Sequence, residues 1–165
     1  MYSDPNSVKR ISSLGAGPIG GGWTAHFLAR GYDVTAYLHD KSETNSFMSI
    51  LKTAWVSLAE LGLAPSASMD RLRIVTDLEE ALDGADFVQE SGPERIEVKQ
   101  KLYSEMGKIL PPSIIIGSST SGLMMSDIQS DCSTPERTVI GHPFNPPYLL
   151  PLVEIVGGKR TAPEA

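Results

Sequence analysis

His142 closes an apolar run, Thr138-Val139-Ile140-Gly141-His142, and the rigid, turn-rich segment Pro143-Phe144-Asn145-Pro146-Pro147 follows it. Glu154, further on, interrupts the apolar stretch Leu152-Val153-Glu154-Ile155-Val156. A buried carboxylate without a partner is costly, so Glu154 needs a cation or a donor. Paired with an imidazole, it would fix the tautomer and stabilise the imidazolium, which suits a general base near neutral pH. Two readings stand side by side here: a base with its orienting acid, or a solvent-facing glutamate and a satisfied core histidine. The other histidines, His26 and His39, read as structural. Ser118-Ser119-Thr120-Ser121-Gly122 follows a second apolar run, Ile114-Ile115-Ile116-Gly117. Its hydroxyls could bond a substrate oxygen or a ribose, or simply make a turn. Cys132 is the single cysteine, which leaves no disulfide framework or zinc cluster and reads as an incidental thiol.

These residues need a scaffold, and the chain opens with one. Val8 to Leu14 reads as a short buried strand. Gly15-Ala16-Gly17-Pro18-Ile19-Gly20 then gives G-x-G-x-x-G, followed by a helical spread of Ile19, Trp23, Phe27 and Leu28 that ends at Gly31. Val34 to Leu38 reads as the next strand. A bare glycine motif is weak evidence, but one between a strand and a helix within a βαβ unit points to a dinucleotide site. Gly15 allows the tight turn, Gly17 lets the backbone approach a pyrophosphate, and Gly20 lets helix and strand pack closely. The helix N-terminus adds free N–H groups and the positive end of a dipole.

Downstream, Phe47, Ile50, Leu51, Ala54, Trp55, Leu58 and Leu61 form a stripe on a long helix over 42–61. Strands at 72–76, 85–90, 114–117, 138–142 and 152–156 alternate with helices at 77–82 and from Gly92 to about Leu110. That alternation predicts an α/β fold: a doubly wound, mostly parallel Rossmann sheet, with 152–156 at its edge. The expected division is a dinucleotide-binding domain over 1–160. Thr161-Ala162-Pro163-Glu164, a T-x-x-E capping box, is then read as the start of a helical C-terminal domain that 161–165 only begins. With 14 Lys and Arg against 20 Asp and Glu, the net charge of −6 argues against a nucleic-acid partner. No apolar run reaches membrane-spanning length, so no membrane partner and a cytoplasmic location are expected.

Four motifs in order carry a resemblance: Gly15 to Gly22; Gln89-Glu90-Ser91-Gly92-Pro93-Glu94; Ser118 to Leu123; and Gly141-His142-Pro143-Phe144-Asn145-Pro146 with Pro151 to Glu154. Together they resemble the NAD-binding domain of the 3-hydroxyacyl-CoA dehydrogenase family. Gln-Glu-Ser and His-Pro-Phe-Asn-Pro-Pro are most similar to its carnitine-oxidising branch. The resemblance implies NAD as cofactor, His142 as general base, Glu154 as its orienting partner, and Ser121 on both the substrate hydroxyl and the cofactor. It implies further cofactor contacts from Gly15, Ala16, Gly17, Pro18, Ile19, Gly20, Glu94, Lys99 and Asn145. The implied substrate is a small L-3-hydroxy acid, with an acyl-CoA as the alternative and a non-catalytic NAD-binding module as a reading of another class. A homodimer through the C-terminal domain is implied for the longer protein.

Two departures from the family pattern stand out. The position where the family carries its ribose-binding acid, at the end of the second strand, is Leu38, with Asp40 two residues later; either Asp40 reaches back to the ribose, or the preference for NAD is weakened and NADP becomes conceivable. The family's coenzyme A positions fall at Ala54 and Leu61, with only Lys52 basic nearby, which favours a substrate without phosphates.

Overall fold

The computed structural model describes residue 2 and residues 4–165. Its strands and helices follow in the order β1 (Arg10–Leu14), α1 (Pro18–Ala29), β2 (Asp33–Tyr37), α2 (Thr44–Leu61), β3 (Leu72–Val75), α3 (Leu78–Leu82), β4 (Phe87–Glu90), α4 (Ile96–Ile109), β5 (Ile116–Ser118), α5 (Met125–Ile128), β6 (Thr138–Pro143) and β7 (Val153–Gly157). The strands form one sheet in the order β3-β2-β1-β4-β5-β6-β7. The chain crosses over between β3 and β4, so β1 and β4 lie side by side. All neighbours are parallel except β6 and β7, which run antiparallel at the edge. This is the expected doubly wound architecture, in which ligands lie beyond the carboxyl ends of the strands at the switch point.

The parallel strands need cover on both faces, and two apolar clusters supply it. Ala25, Leu28, Phe47, Leu51 and Leu58 of α1 and α2 pack with Val34 and Ala36 of β2. Leu82, Tyr103, Met106 and Ile128 of the other helices pack with Val88, Ile116 and Ile140. Arg137 is fully buried. Its guanidinium donates to the carbonyls of Leu110 at 3.2 Å, Met106 at 3.4 Å, Gly107 at 3.5 Å and Ile114 at 3.3 Å, and also to Pro111. These include carbonyls at the C-terminal end of α4, where intrahelical donors run out; Met106 also accepts from the N–H of Leu110 at 3.0 Å.

Residues 161–165, expected to begin a helix, show a turn at Pro163-Glu164. The Thr161 hydroxyl, which an N-cap would turn onto its own helix, instead accepts from the N–H of Gly158 at 2.7 Å and donates to the carbonyl of Thr138 at 2.6 Å. Among the described residues, no helix is long and apolar enough to cross a membrane.

Candidate active site and cofactor cradle

The three motif glycines do different work. Gly15 has φ +123° and passes so close to Ser91 that a Cβ would strike its carbonyl oxygen. A Cβ on Gly20 would strike the carbonyl of Gly15. Both are therefore required by the protein's own packing of α1 against β1 and the end of β4. Gly17 is not: a Cβ there would meet nothing within 4 Å, and its φ of −73° and ψ of 179° suit any residue. Gly17 is the N-cap of α1, with Pro18 following at the first helical position. The open approach to its backbone, at a helix N-terminus with unpaired N–H groups, leaves room for an anionic pyrophosphate. These residues fit a dinucleotide.

At the carboxyl end of β2, Leu38 is fully buried in the core. Asp40 is exposed and accepts from the N–H of Ser42 at 2.7 Å, while Glu43 returns a bond to the Asp40 N–H, a capping box on a short 3-10 turn. Those bonds from Ser42 hold the Asp40 carboxyl below the usual carboxylate range.

The ends of β4 and β5 are tied together by acids. Glu90, wholly buried, accepts from Lys99 Nζ at 2.6 Å, from the N–H of Gly92 at 2.6 Å and from the Ser118 hydroxyl at 2.7 Å. Glu94 Oε1 accepts from the Thr120 hydroxyl at 2.6 Å and from the N–H groups of Ser121 and Gly122 at 3.1 Å each. Burial pushes the Glu94 carboxyl up, but these bonds and the Lys99 charge outweigh it, and its pKa lies below the ordinary value. Lys99, an expected cofactor contact, has a side chain only 1% exposed, with its ammonium seated on Glu90 and 3.8 Å from Glu94 Oε2. A buried ammonium needs its counter-ion more than it needs a ligand, and here it braces the loop that carries Ser121. Glu90 was not legible as a site residue. Its signal was a second polar residue, after Gln89, closing a short buried strand.

His142 and Glu154 come together. The antiparallel register of β6 and β7 sets them directly opposite each other, and His142 Nδ1 lies 2.9 Å from Glu154 Oε2. The Glu154 side chain is 59% exposed and that of His142 29%. Such an open pair adds little stability; what it does is orient the ring. The carboxylate only accepts, so Nδ1 carries the proton and Nε2 is left as the acceptor. A cleft of about 300 Å³ brings His142 together with Ile19, Ser119, Ser121, Phe144 and Asn145. It therefore joins the first turn of α1 to the loops after β5 and β6. Ser119 is a cleft residue that sequence reasoning did not single out from its hydroxyl-rich run.

A glycine cradle at the β1–α1 turn, at the same carboxyl end of the parallel strands as a carboxylate-oriented imidazole, defines an NAD-binding domain of the dehydrogenase type. The chain belongs to the 3-hydroxyacyl-CoA dehydrogenase family: residues 10–165 match its NAD binding domain. It is 50% identical over 163 residues to L-carnitine dehydrogenase of Streptomyces coelicolor, covering 99% of this chain and 51% of that protein. It is 49% identical over 158 residues to L-carnitine dehydrogenase of Pseudomonas putida, covering 96% and 49%. The chain thus spans about half the length of the curated relatives it matches. Among solved structures, an NAD+-dependent 5-formyl-3-hydroxy-2-methylpyridine 4-carboxylic acid 5-dehydrogenase superposes with TM-score 0.87 at 33% identity, over 95% of this chain and 51% of that one. The 3-hydroxybutyryl-CoA dehydrogenase of Escherichia coli K12 gives 0.86 at 30% identity, over 96% and 34%.

Proposed function

We propose that this chain is the cofactor-binding half of an oxidoreductase that oxidises the 3-hydroxyl carbon of a small L-3-hydroxy acid of the carnitine type. The observation that carries the reading is the His142–Glu154 pair at 2.9 Å beside the cleft. NAD, when bound, supplies the acceptor for the hydride that leaves that carbon. The glycine loop from Gly15 to Gly20, with Ala16, Pro18 and Ile19, holds its diphosphate, and Glu94 and Asn145 hold the nicotinamide end. Asp40, just beyond the end of β2, would lie by the adenosine ribose and would favour NAD over NADP by repelling a 2′-phosphate. Ser121 bonds the substrate hydroxyl. His142 takes the hydroxyl proton on Nε2, and Glu154 stabilises the resulting imidazolium.

Two observations favour a small acid over an acyl-CoA. Ala54 is fully buried and offers nothing to a coenzyme, and no Lys or Arg lines the cleft. A second body is part of the proposal. The apolar residues Leu152, Ile155 and Val156 are 55%, 67% and 52% exposed, and the relatives are about twice as long. A helical C-terminal domain covering β7 would close the wet side of the His142–Glu154 pair and carry a homodimer contact, in a cytoplasmic protein.

The test is NAD reduction with L-carnitine and, separately, with an L-3-hydroxyacyl-CoA, using the protein extended to its relatives' length. L-Carnitine is the expected substrate, and the 165-residue chain alone is expected to bind NADH without turnover. Turnover of the acyl-CoA alone would overturn the substrate assignment. Comparable turnover by the short chain would place the whole site within residues 1–165.

A further inference from the structure

Gln89 and Gly117 face each other in the register of β4 and β5. Gln89 is 3% exposed, and a Cβ on Gly117 would come within 2.8 Å of its amide oxygen, so glycine there makes room for the amide. The amide then donates from Nε2 to the hydroxyl of Ser119 at 2.8 Å. The Ser91 hydroxyl lies 2.8 Å from the same oxygen. Ser91 is itself fixed, since its N–H donates to the Leu14 carbonyl at 2.7 Å and its own carbonyl packs on Gly15. Two polar side chains from the end of β4 thus converge on one hydroxyl beyond β5, and Ser119 lines the cleft beside Ser121 and His142.

We propose that Ser119 is a further specificity-determining residue, a hydroxyl held by Gln89 and Ser91 that donates to a carboxylate oxygen of the substrate. This rests on the hydroxy-acid reading above. A hydroxyl has one proton and two lone pairs. Gln89 fills one lone pair, because an amide N–H only donates. When Ser91 donates as well, both lone pairs are filled and the Ser119 proton is free for the cleft. An anionic oxygen selects that orientation. Among the described residues the cleft lining has no Lys or Arg, and His142 is engaged with the substrate hydroxyl, so the hydroxyl of Ser119 is a neutral donor left for the carboxylate. A buried glutamine is otherwise an expensive way to fill core volume; here its measurable effect passes through Ser119.

The test uses the protein extended to its relatives' length and needs no turnover: acetoacetate, the simplest 3-keto acid, is titrated calorimetrically into the NADH-saturated protein. A hydrogen bond to a charged group corresponds to about tenfold to a hundredfold in affinity. Ser119→Ala should weaken acetoacetate by that factor and leave NADH affinity within about twofold. Gln89→Leu should weaken it less, and Gln89→Leu with Ser119→Ala no more than Ser119→Ala alone, the signature of one residue acting through another. Unchanged acetoacetate affinity in Ser119→Ala overturns the proposal. So does an equal loss of NADH affinity, which places the hydroxyl on the nicotinamide, and so does failure of the unmutated protein to bind acetoacetate. Acetoacetate binding without any L-carnitine oxidation would instead refute the carnitine reading and leave Ser119 in place.

Discussion

Gly17→Val separates the cofactor's needs from the fold's. The new side chain starts in space where nothing lies within 4 Å, on a backbone that is extended rather than left-handed. Replacing glycine in a compatible conformation stabilises by about 0.4–1 kcal/mol through the unfolded state. Losing glycine as N-cap costs about 0.5–1 kcal/mol. The two offset, so the melting temperature without ligand should barely move. Binding is another matter. A branched side chain above the α1 N-terminus keeps the diphosphate from the backbone, and each charged hydrogen bond lost costs about 1.5–3 kcal/mol. Loss of one or two predicts NADH binding weakened roughly tenfold to a thousandfold, read by calorimetry. Gly20→Ala is the control of opposite kind, because its Cβ collides with the Gly15 carbonyl and overpacking costs about 1–3 kcal/mol. It should destabilise the fold with or without NADH. Wild-type NADH affinity in Gly17→Val would refute the cradle, and collapse of its unliganded fold would refute the open space.

Arg137→Ala should destabilise by roughly 3 kcal/mol or more, because several buried carbonyls lose their donor; a urea midpoint equivalent to less than about 1 kcal/mol would show those carbonyls to be satisfied otherwise. The His26 ring is held below its ordinary value of 6.5, first by burial and then by Arg30. The unfolded chain therefore takes up the proton more readily as pH falls through 6.5, and stability present above that value is lost on acidification until the folded ring also titrates. His26→Phe should flatten that part of the stability–pH curve, and an identical slope would show that the ring titrates normally. Asp40→Ala should narrow the NADH over NADPH preference; an unchanged ratio would mean that the carboxylate does no more than cap its turn.

What the sequence made legible was local or periodic. The glycine loop between Leu14 and Pro18, the stripe on α2 and the apolar run into β5 each announce themselves within a few residues. His142 and Glu154 could be paired because each stands out on its own strand and only a hairpin-like reversal separates them. Glu90, Lys99, Gln89 and Ser119 were harder. Their partners lie on neighbouring parallel strands or a crossover helix, and no spacing along the chain encodes that register. Nothing in the local sequence says that Lys99 is buried on Glu90. The Thr161 hydroxyl shows the same limit: its bond to the Thr138 carbonyl joins residues 23 apart, which no local pattern announces.

The central claim is that His142, oriented by Glu154, removes the substrate proton while the glycine cradle holds NAD independently. His142→Gln in the protein extended to its relatives' length tests it most directly, with NADH affinity and L-carnitine oxidation measured on the same sample. The account predicts NADH binding within about twofold of the unmutated protein and turnover reduced by about 10²–10⁴-fold, the usual contribution of a positioned general base. Turnover within a few-fold of the unmutated protein would contradict it.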